Sequence, residues 1–246
     1  MLSFAVSPCS NPEMSLAEVL SAYAQIGYTR FEAFTSWCKS ALSADADPDA
    51  YLGFTDKYGI DFSSIHLPPI TEDHETSIAN AAKTCRLGAE LGVRAALVKP
   101  TDLDRDAPAV KALLDEIDGL PVIPVLQNHA GSAIETLEDY DRILSTVDDA
   151  RLKCTLEVGQ FHSVGIDWRE ACEALDRRFE LVHIKDQVGR QSVPFGTGEI
   201  DLPGLLARLA EDGYPGDVVV EMEVQDRENT LQYLRDALEY VNEHSP

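Results

Sequence analysis

Residues 213–222 read Gly-Tyr-Pro-Gly-Asp-Val-Val-Val-Glu-Met: a glycine that ends a helical stretch, a turn, and a β-branched run closed by a carboxylate. Such runs alternate with longer segments of helical periodicity along the chain, which is typical of β/α units around a parallel sheet. We count eight units. Their strands are predicted near Leu2–Ser7, Arg30–Phe34, Phe62–His66, Arg94–Lys99, Pro121–Gln127, Leu152–Glu157, Leu181–Lys185 and Asp217–Met222.

The segments between these strands have helix signals at both ends. Ser15 precedes an apolar helical face, and the longest helix is predicted from Glu75 to Leu91. Four glycines stand between a helix and a strand, where a left-handed residue commonly ends a helix: Gly27, Gly59, Gly92 and Gly213. No linker divides the 246 residues, and barrels of about 250 residues form one unit. The sequence predicts an α/β fold, a (β/α)8 TIM barrel, as a single domain over residues 1–246.

The chain is strongly acidic. It has 43 acidic and 20 basic residues, only seven of them lysines, and a net charge of −23. Such a surface repels nucleic acid and anionic membranes, so we expect neither as a partner. Acid excess with scarce lysine is also typical of halophilic proteins in a salt-rich cytoplasm, where cations screen the carboxylates. We treat that habitat as a hypothesis.

No stretch approaches the roughly 18–20 apolar residues of a membrane span, and the start of the chain lacks a basic region before an apolar core. We therefore expect a cytoplasmic protein. The five cysteines are widely spaced without a C-x-x-C pair, so buried thiols are expected rather than disulfides or a zinc ribbon. Exposed helix faces of barrels often support homo-oligomers, and the sequence leaves that state open.

Polar residues stand at nearly every predicted strand end, where β/α barrels carry their functional groups. Each one alone could be structural: His66 and His129 as hydrogen-bonded histidines, Lys99 as an ion-pair partner. His74, His162 and His244 are assigned to surface or loop positions. Joint placement at one barrel mouth favours a site. The set is Glu32, His66, Lys99, Gln127-Asn128-His129, Glu157, His183, Lys185, Asp186, Glu221 and Glu223.

Glu157, His183 and Glu221 supply two carboxylates and an imidazole from three strand ends. This mixture suits Mn, Mg, Co or Zn, and Gln127 could add a neutral oxygen. Ligands from separate strands also leave room for a substrate, unlike a closed structural zinc site.

The chain resembles the xylose isomerase-like barrel superfamily, which includes sugar isomerases and epimerases, hydroxypyruvate isomerase, inosose dehydratase and the endonuclease IV group. The resemblance covers essentially the whole chain. Its motifs are Leu126-Gln127-Asn128-His129, Val182-His183-Ile184-Lys185-Asp186, Phe195-Gly196-Thr197-Gly198-Glu199-Ile200-Asp201, Gly213-Tyr214-Pro215-Gly216 and Val218-Val219-Val220-Glu221.

The resemblance implies a divalent metal at Gln127, Glu157, His183 and Glu221. His183 and Glu221 match the family, whereas the family has Glu at the position of Gln127, Asp at that of Glu157, and a substrate-contacting His at that of Gln160. The shell of Gln127, Glu157 and Glu221 carries a charge of −2 in place of the family's −3. A weaker metal affinity is therefore expected.

The departures also bear on mechanism. Epimerising members use two opposed glutamates, and Gln127 cannot act as a base. We therefore favour a sugar isomerase in which Glu221 is the single base, with Glu157 and Lys185 as further catalytic residues. Keto-sugar dehydration of the inosose dehydratase type is the alternative. Residues expected to contact a small sugar or keto-acid substrate are His66, Lys99, His129, Gln160 and Arg190.

Two further readings compete with catalysis on a sugar. The endonuclease IV branch would give His66 a metal-binding role, but the acidic surface opposes DNA binding. A barrel that has lost its ligand Glu and substrate His could instead bind a small polyol or keto-acid without turnover. The loops 36–47, 100–106 and 187–195 do not identify a substrate.

Overall fold

The strands and helices alternate as predicted in the computed structural model, which describes residues 1–176 and 178–246. All eight predicted strands are present, with ends within two residues of the predicted ones. The strands are β1 (Ser3–Val6), β2 (Arg30–Ala33), β3 (Asp61–His66), β4 (Ala95–Val98), β5 (Ile123–Leu126), β6 (Lys153–Glu157), β7 (Phe179–Ile184), β8 (Asp186–Val188), β9 (Gln191–Val193) and β10 (Asp217–Val220).

Strands β1 to β7 pair in sequence order and β10 closes the circle between β7 and β1, all in parallel. The predicted (β/α)8 barrel fold is thus confirmed. That a single domain spans residues 1–246 stays a prediction. The two remaining strands, β8 and β9, form an antiparallel hairpin outside the barrel that the sequence reading missed.

Helices cover the outer face of the barrel. The longest predicted helix is confirmed with its ends shifted by one residue. The helices are α1 (Leu16–Ile26), α2 (Pro48–Tyr58), α3 (His74–Glu90), α4 (Leu103–Glu116), α5 (Leu137–Val147), α6 (Val158–Ser163), α7 (Trp168–Leu175), α8 (Leu202–Glu211) and α9 (Thr230–His244). None of those in the described part of the chain is long and apolar enough to cross a bilayer.

Helix ends follow the capping rules that the sequence suggested. Ser15 and Glu18 form a capping box at the start of α1, so two otherwise unpaired backbone groups are satisfied there. Gly27 and Gly59 follow α1 and α2 with φ of 121° and 69°, a backbone region that side chains disfavour. These ends fix the short connections that return the chain to the barrel.

Two apolar layers lie on the two faces of the sheet. The outer layer packs the helices against outward strand residues such as Val182, Val218 and Val220. The inner layer fills the middle of the barrel with Ala5, Ala95, Leu97, Val125, Leu181 and Val219. Because side chains alternate along a strand, residues two positions beyond these inner ones also point inward, above the apolar plug. That level holds the site.

The cysteines and three of the histidines lie where predicted. Cys9, Cys38, Cys85, Cys154 and Cys172 are all buried free thiols. His74, His162 and His244 lie on helices and contact Asp106, Glu199 and the Tyr240 carbonyl, respectively.

Candidate active site

Three strand ends bring a histidine between two carboxylates. Glu157 ends β6, Glu221 follows β10, and His183 lies in β7 between them. His183 Nδ1 lies 2.8 Å from Glu157 Oε2 and 3.3 Å from Glu221 Oε1. All three side chains are buried. These residues, which the sequence predicted as ligands, meet above the apolar plug.

Glu32 holds the opposite side of the histidine ring. Its Oε2 lies 2.9 Å from His183 Nε2 and accepts a hydrogen bond of 2.8 Å from the Ser64 hydroxyl, and its Oε1 lies 3.1 Å from His66 Nε2. The sequence placed Glu32 at the mouth without a role. In the structure it is the carboxylate beside His183 Nε2, and a carboxylate at the second ring nitrogen is a common partner of a ligating histidine.

Charges set the protonation of these groups. Burial by itself lowers the pKa of His183, but Glu32 and Glu157 outweigh it and raise the pKa well above its usual value. His66 behaves oppositely: burial and the positive charge of Lys99 lower its pKa to about 4. The pKa values of two neighbouring imidazoles, with ring centroids 6.2 Å apart, are therefore shifted in opposite directions.

Lys185 is a buried cation beside the carboxylates. Its Nζ lies 2.6 Å from Glu221 Oε2, 2.8 Å from Glu223 Oε2 and 4.0 Å from Glu157 Oε1. Burial opposes its charge, yet Glu221 and Glu157 raise the pKa of Lys185 well above its usual value. In return Lys185 and His183 overcome the effect of burial and lower the pKa of Glu221 below its usual value. Both partners are ionised at neutral pH.

Gly159 makes room for the stem of Lys185. A methyl group on Gly159 would lie 2.7 Å from Lys185 Cδ and 2.9 Å from Cε, distances at which atoms must move apart. Gly159 is the second residue of α6, two positions beyond Glu157. The absence of a side chain at residue 159 thus positions the ammonium group.

A cavity of about 360 Å³ opens above these groups, within the usual range for small-molecule sites of about 300–1,000 Å³. Its lining includes most of the residues predicted to contact substrate. The lining residues are Cys9, Phe34, Ser36, Trp37, His66, Leu67, Pro69, Lys99, Gln127, His129, Glu157, Gln160, Lys185, Glu221 and Glu223.

Four residues predicted to bind the metal or the substrate have other contacts or another position in the structure. Gln127 directs its amide nitrogen at Glu157, donating to Oε2 at 3.3 Å, rather than presenting an oxygen. Arg190 is exposed on the turn of the β8–β9 hairpin and lines a neighbouring polar pocket instead of the main cavity. His129 is exposed at the rim, and its Nδ1 lies 2.9 Å from the Ala130 carbonyl oxygen. Gln160 accepts a hydrogen bond of 3.0 Å from the Ala130 backbone N–H.

Besides Glu32 and His183, which contact each other, two strand-end residues do not belong to the cavity lining. Asp186 accepts backbone hydrogen bonds of 2.9 and 2.8 Å from Gly196 and Gly198, so it organises the loop after the hairpin. Asn128 is buried and accepts a hydrogen bond of 3.1 Å from the Tyr140 hydroxyl. Expecting every strand-end polar group at the mouth was wrong for these two, because each is one residue out of step with the inward-facing set.

Sequence reasoning missed the aromatic wall of the cavity. Phe34 follows β2 and stacks on His66 with ring centroids 3.8 Å apart, and Trp37 lies 5.7 Å from Phe34. The signal for Phe34 was present, since it is two residues beyond the inward Glu32. Trp37 lies in an irregular loop, where strand alternation gives no guidance.

The donor set fits a divalent metal ion. Glu157, His183 and Glu221 each offer one ligand atom, and these atoms lie within 4.8 Å of one another. Glu157 Oε1 is buried and has no hydrogen-bond donor within the described residues, a condition that a cation relieves. A neighbouring group, Glu32, His66 and His183, is also close enough, but Glu32 already contacts both rings and Ser64. Glu157, His183 and Glu221 are therefore the better candidate ligands.

A parallel barrel with an acidic pocket at the carboxyl ends of its strands defines a class of small-molecule enzyme folds. The model of the family described as xylose isomerase-like TIM barrel matches residues 20–244. The chain belongs to this family. The resemblance found in the sequence is thereby confirmed.

Curated relatives in this family include inosose dehydratases. The protein of Geobacillus kaustophilus (strain HTA426) is 26% identical over 92% of this chain and 86% of its own length. That of Clostridium tetani (strain Massachusetts / E88) is 28% identical over 48% of this chain. This second match spans about half of the relative, 47% of its length.

Solved structures share the fold over nearly the whole chain. A xylose isomerase domain protein from Alicyclobacillus acidocaldarius subsp. acidocaldarius has a TM-score of 0.82 at 16% identity and 99% coverage of both chains. The IolI protein, solved with a bound zinc atom, has a TM-score of 0.79 at 18% identity and the same coverage. At these identities the likeness concerns the fold.

Proposed function

We propose that this barrel is a divalent-metal-dependent enzyme that moves a proton on the carbon beside a carbonyl of a small sugar or sugar derivative. The observation that carries the proposal is the convergence of Glu157, His183 and Glu221 around a buried oxygen without a hydrogen-bond donor, next to the ammonium of Lys185. Zinc in the related IolI structure and the curated inosose dehydratases support the same class of chemistry.

Glu221 is the proposed base. It is ionised, it lines the cavity, and its carboxylate faces the space where a substrate carbon would lie. Lys185 is the proposed donor to a substrate oxygen, because its ammonium lines the same cavity next to that base. Proton removal beside a carbonyl places negative charge on the oxygen, and a fixed cation stabilises it in a site shielded from water.

Glu157, His183 and Glu221 would hold the metal, which supplies polarisation of the substrate carbonyl and orientation of its oxygens. Glu32 keeps His183 in place through Nε2 and leaves Nδ1 facing the two ligand carboxylates. His66 stays neutral beside Lys99 and can hydrogen-bond a hydroxyl group. Lys99, Gln160 and His129 contribute further polar contacts around the cavity.

Isomerisation and dehydration share this first step. In isomerisation, Glu221 returns the proton to the former carbonyl carbon, and the hydroxyl proton of the carbon that becomes the new carbonyl passes to the former carbonyl oxygen. In dehydration, a hydroxyl group beyond that carbon leaves as water and requires a proton donor close to the base. The 2.6 Å separation of Lys185 Nζ from Glu221 Oε2 and the inosose dehydratase relatives favour dehydration of a keto-polyol as the second candidate.

The test compares two buried histidines in the same pocket. The purified protein, His183→Asn and His66→Asn are each incubated with Mn²⁺, desalted, and measured for bound metal by mass spectrometry. We expect near-stoichiometric metal in the wild type and in His66→Asn, and loss of metal in His183→Asn. His66→Asn is the matched control, because it removes an equally buried imidazole outside the proposed ligand set.

Turnover is then measured by NMR in D₂O with a keto-hexose and with inosose as probes. Deuterium at the carbon beside the carbonyl indicates proton transfer, and conversion of an H–C–OH signal to that of an unsaturated carbon indicates dehydration. Absence of metal in the wild type would overturn the proposal. Bound metal without exchange or product on either probe would favour a barrel that binds a small polyol or keto-acid without turnover.

A further inference from the structure

Trp37 is a large apolar side chain that the fold leaves in water. It is 65% exposed, in contrast to the second tryptophan, Trp168, which is 6% exposed. Single exposed apolar residues are common on protein surfaces and need no special explanation. Trp37, however, lies at the rim of the proposed catalytic cavity.

The backbone of Trp37 is in a conformation that a bulky residue rarely adopts. Its φ is 73°, and the N–H of Cys38 donates to the carbonyl of Ser36 at 2.9 Å across it. This bond makes Trp37 the centre of a γ-turn with positive φ, a rare and strained turn. Glycine would relieve the strain, and an exposed tryptophan gains little from packing. A tryptophan at position 37 therefore costs stability, and its presence there suggests a role other than folding.

The loop that carries Trp37 is fastened on both sides. The Thr35 hydroxyl donates to the His66 carbonyl at 2.9 Å, the Lys39 N–H donates to the Pro12 carbonyl at 2.8 Å, and the Leu42 N–H donates to the Phe34 carbonyl at 2.7 Å. These bonds hold the loop backbone that carries the indole at the rim of the cavity. A rigid aromatic side chain loses little conformational freedom when a ligand binds.

The cavity combines an apolar wall with a charged floor. Glu157, Lys185 and Glu221 form the polar side, while Phe34 and Trp37 form the aromatic side. Phe34 is already stacked on His66, so Trp37 is the aromatic group with free surface. A polyhydroxylated ring has the matching shape, because its faces present C–H bonds and its edge presents hydroxyl groups.

We propose that Trp37 stacks on the C–H face of a ring-shaped polyol or keto-polyol and selects cyclic substrates over open-chain ones. An open chain keeps no persistent flat face and must lose more rotational freedom to stack. The proposal rests on the proposed function for the view that the ligand is sugar-like. The stacking itself depends only on the geometry of the β2 loop.

The test measures binding of two unreactive six-carbon polyols, cyclic myo-inositol and open-chain glucitol, to the Mn²⁺-incubated protein by calorimetry. We expect Trp37→Ala to weaken myo-inositol binding about tenfold, the scale of an aromatic stacking contact, and Trp37→Phe to weaken it about threefold or less. Wild type should bind glucitol more weakly, with little change in the variants. Leu231→Ala, which truncates another exposed apolar residue, on α9, should leave both affinities unchanged.

A second readout separates binding from folding. Trp37→Gly should raise the melting temperature because it relieves the positive φ, while weakening myo-inositol binding as Trp37→Ala does. Tryptophan fluorescence adds a direct signal: Trp37 emission should shift to shorter wavelength with myo-inositol, and Trp37→Phe, which keeps only Trp168, should show no shift.

Three outcomes overturn the inference: unchanged myo-inositol affinity in Trp37→Ala, equal affinity of the wild type for both polyols, or binding of neither. If neither polyol binds while Mn²⁺ is held by the wild type and lost in His183→Asn, the substrate class is wrong and the metal proposal stands. If myo-inositol binds through Trp37 in a protein that takes up no metal, the proposed function fails and the ring selection stands.

Discussion

Two carboxylates at the opposite ends of β10 differ in how many hydrogen-bond donors they have. Asp217, at the start of β10, accepts hydrogen bonds from Ser3 Oγ at 2.6 Å, Arg30 Nε at 2.9 Å and Ser63 Oγ at 2.7 Å. Glu221, one residue past the end of β10, has Oε2 without an aligned donor although Lys185 Nζ lies 2.6 Å away. Both point into the barrel, with the apolar Val219 between them.

The difference separates a structural carboxylate from one available for chemistry. Asp217 is satisfied by its own protein and ties three strands together at the amino end of the barrel. Glu221 shares Lys185 and His183 with other carboxylates and lines the cavity. In β/α barrels the amino face serves stability and the carboxyl face carries function. Replacing each carboxylate by its amide should therefore give opposite results.

The largest effect is expected for Glu221→Gln. The amide keeps the shape but cannot accept a proton, so turnover of a keto-polyol should fall about 10³-fold, the range for loss of a general base. The rate is followed as solvent deuterium incorporation. Urea unfolding checks that the variant, which removes one partner of the buried pair with Lys185, is folded under the assay conditions. Retained turnover would remove Glu221 from the role of base.

Asp217→Asn should act on stability instead. The substitution removes the negative charge that pairs with Arg30 and weakens three buried hydrogen bonds, so the free energy of unfolding should fall by about 2–3 kcal/mol. Urea unfolding measures this loss. Mn²⁺ affinity and turnover below the unfolding transition should match the wild type. Lower turnover by a fully folded Asp217→Asn variant would contradict the assignment of stability to the amino end of the barrel and of catalysis to the carboxyl end.

His66 provides a pH test of the carboxyl end. Burial and Lys99 lower its pKa from 6.5 to about 4, so the unfolded chain binds more protons than the folded chain between these values. The stability contributed by neutral His66 is therefore lost as pH falls from about 6.5 to about 4. We expect about 2 kcal/mol of this loss between pH 7 and pH 5. In urea unfolding with EDTA, the loss in the wild type should exceed that in His66→Asn by this amount, because the other groups, His183 among them, titrate in both proteins.

The contrast also shows what the sequence could predict. Short β-branched runs followed by helical segments located all eight barrel strands, because a strand buried on both faces has a distinctive composition. Strand alternation identifies which side chains point inward, which is why Glu157, His183 and Glu221 meet as expected. The β8–β9 hairpin escaped prediction because its residues 186–193 are short, polar and without periodicity.

Two adjacent residues after β7 show where prediction from strand-end position fails. Lys185 and Asp186 both follow β7, yet Lys185 lies with the site and Asp186 binds the Gly196 loop. Position at a strand end was too coarse a criterion, and counting from His183 in steps of two separates them. The role of Trp37 depends on a turn whose geometry no sequence pattern revealed. Cytoplasmic location, a salt-rich habitat, oligomeric state and the absence of nucleic-acid and membrane partners stay predictions.

The smallest effect we expect is a gain, in Gln127→Glu. Gln127 donates to Glu157 from the position where the resemblance noted in the sequence implies a glutamate, and a carboxylate there would add a third negative charge around the proposed metal. Mn²⁺ affinity should rise about tenfold, since an added charge a few ångströms away is worth about 1–2 kcal/mol in a partly screened site. Titration calorimetry with Mn²⁺ measures the change.

The matched control is Gln160→Glu, which adds the same charge at a lining residue that contacts the Ala130 backbone rather than Glu157. Its effect on Mn²⁺ affinity should be smaller, because Gln127, and not Gln160, is hydrogen-bonded to a proposed ligand. Equal gains in the two variants would mean that the cation responds to the overall charge of the pocket. A gain confined to Gln127→Glu places the ion among the carboxyl ends of β5, β6, β7 and β10, in line with Glu221 and away from Asp217.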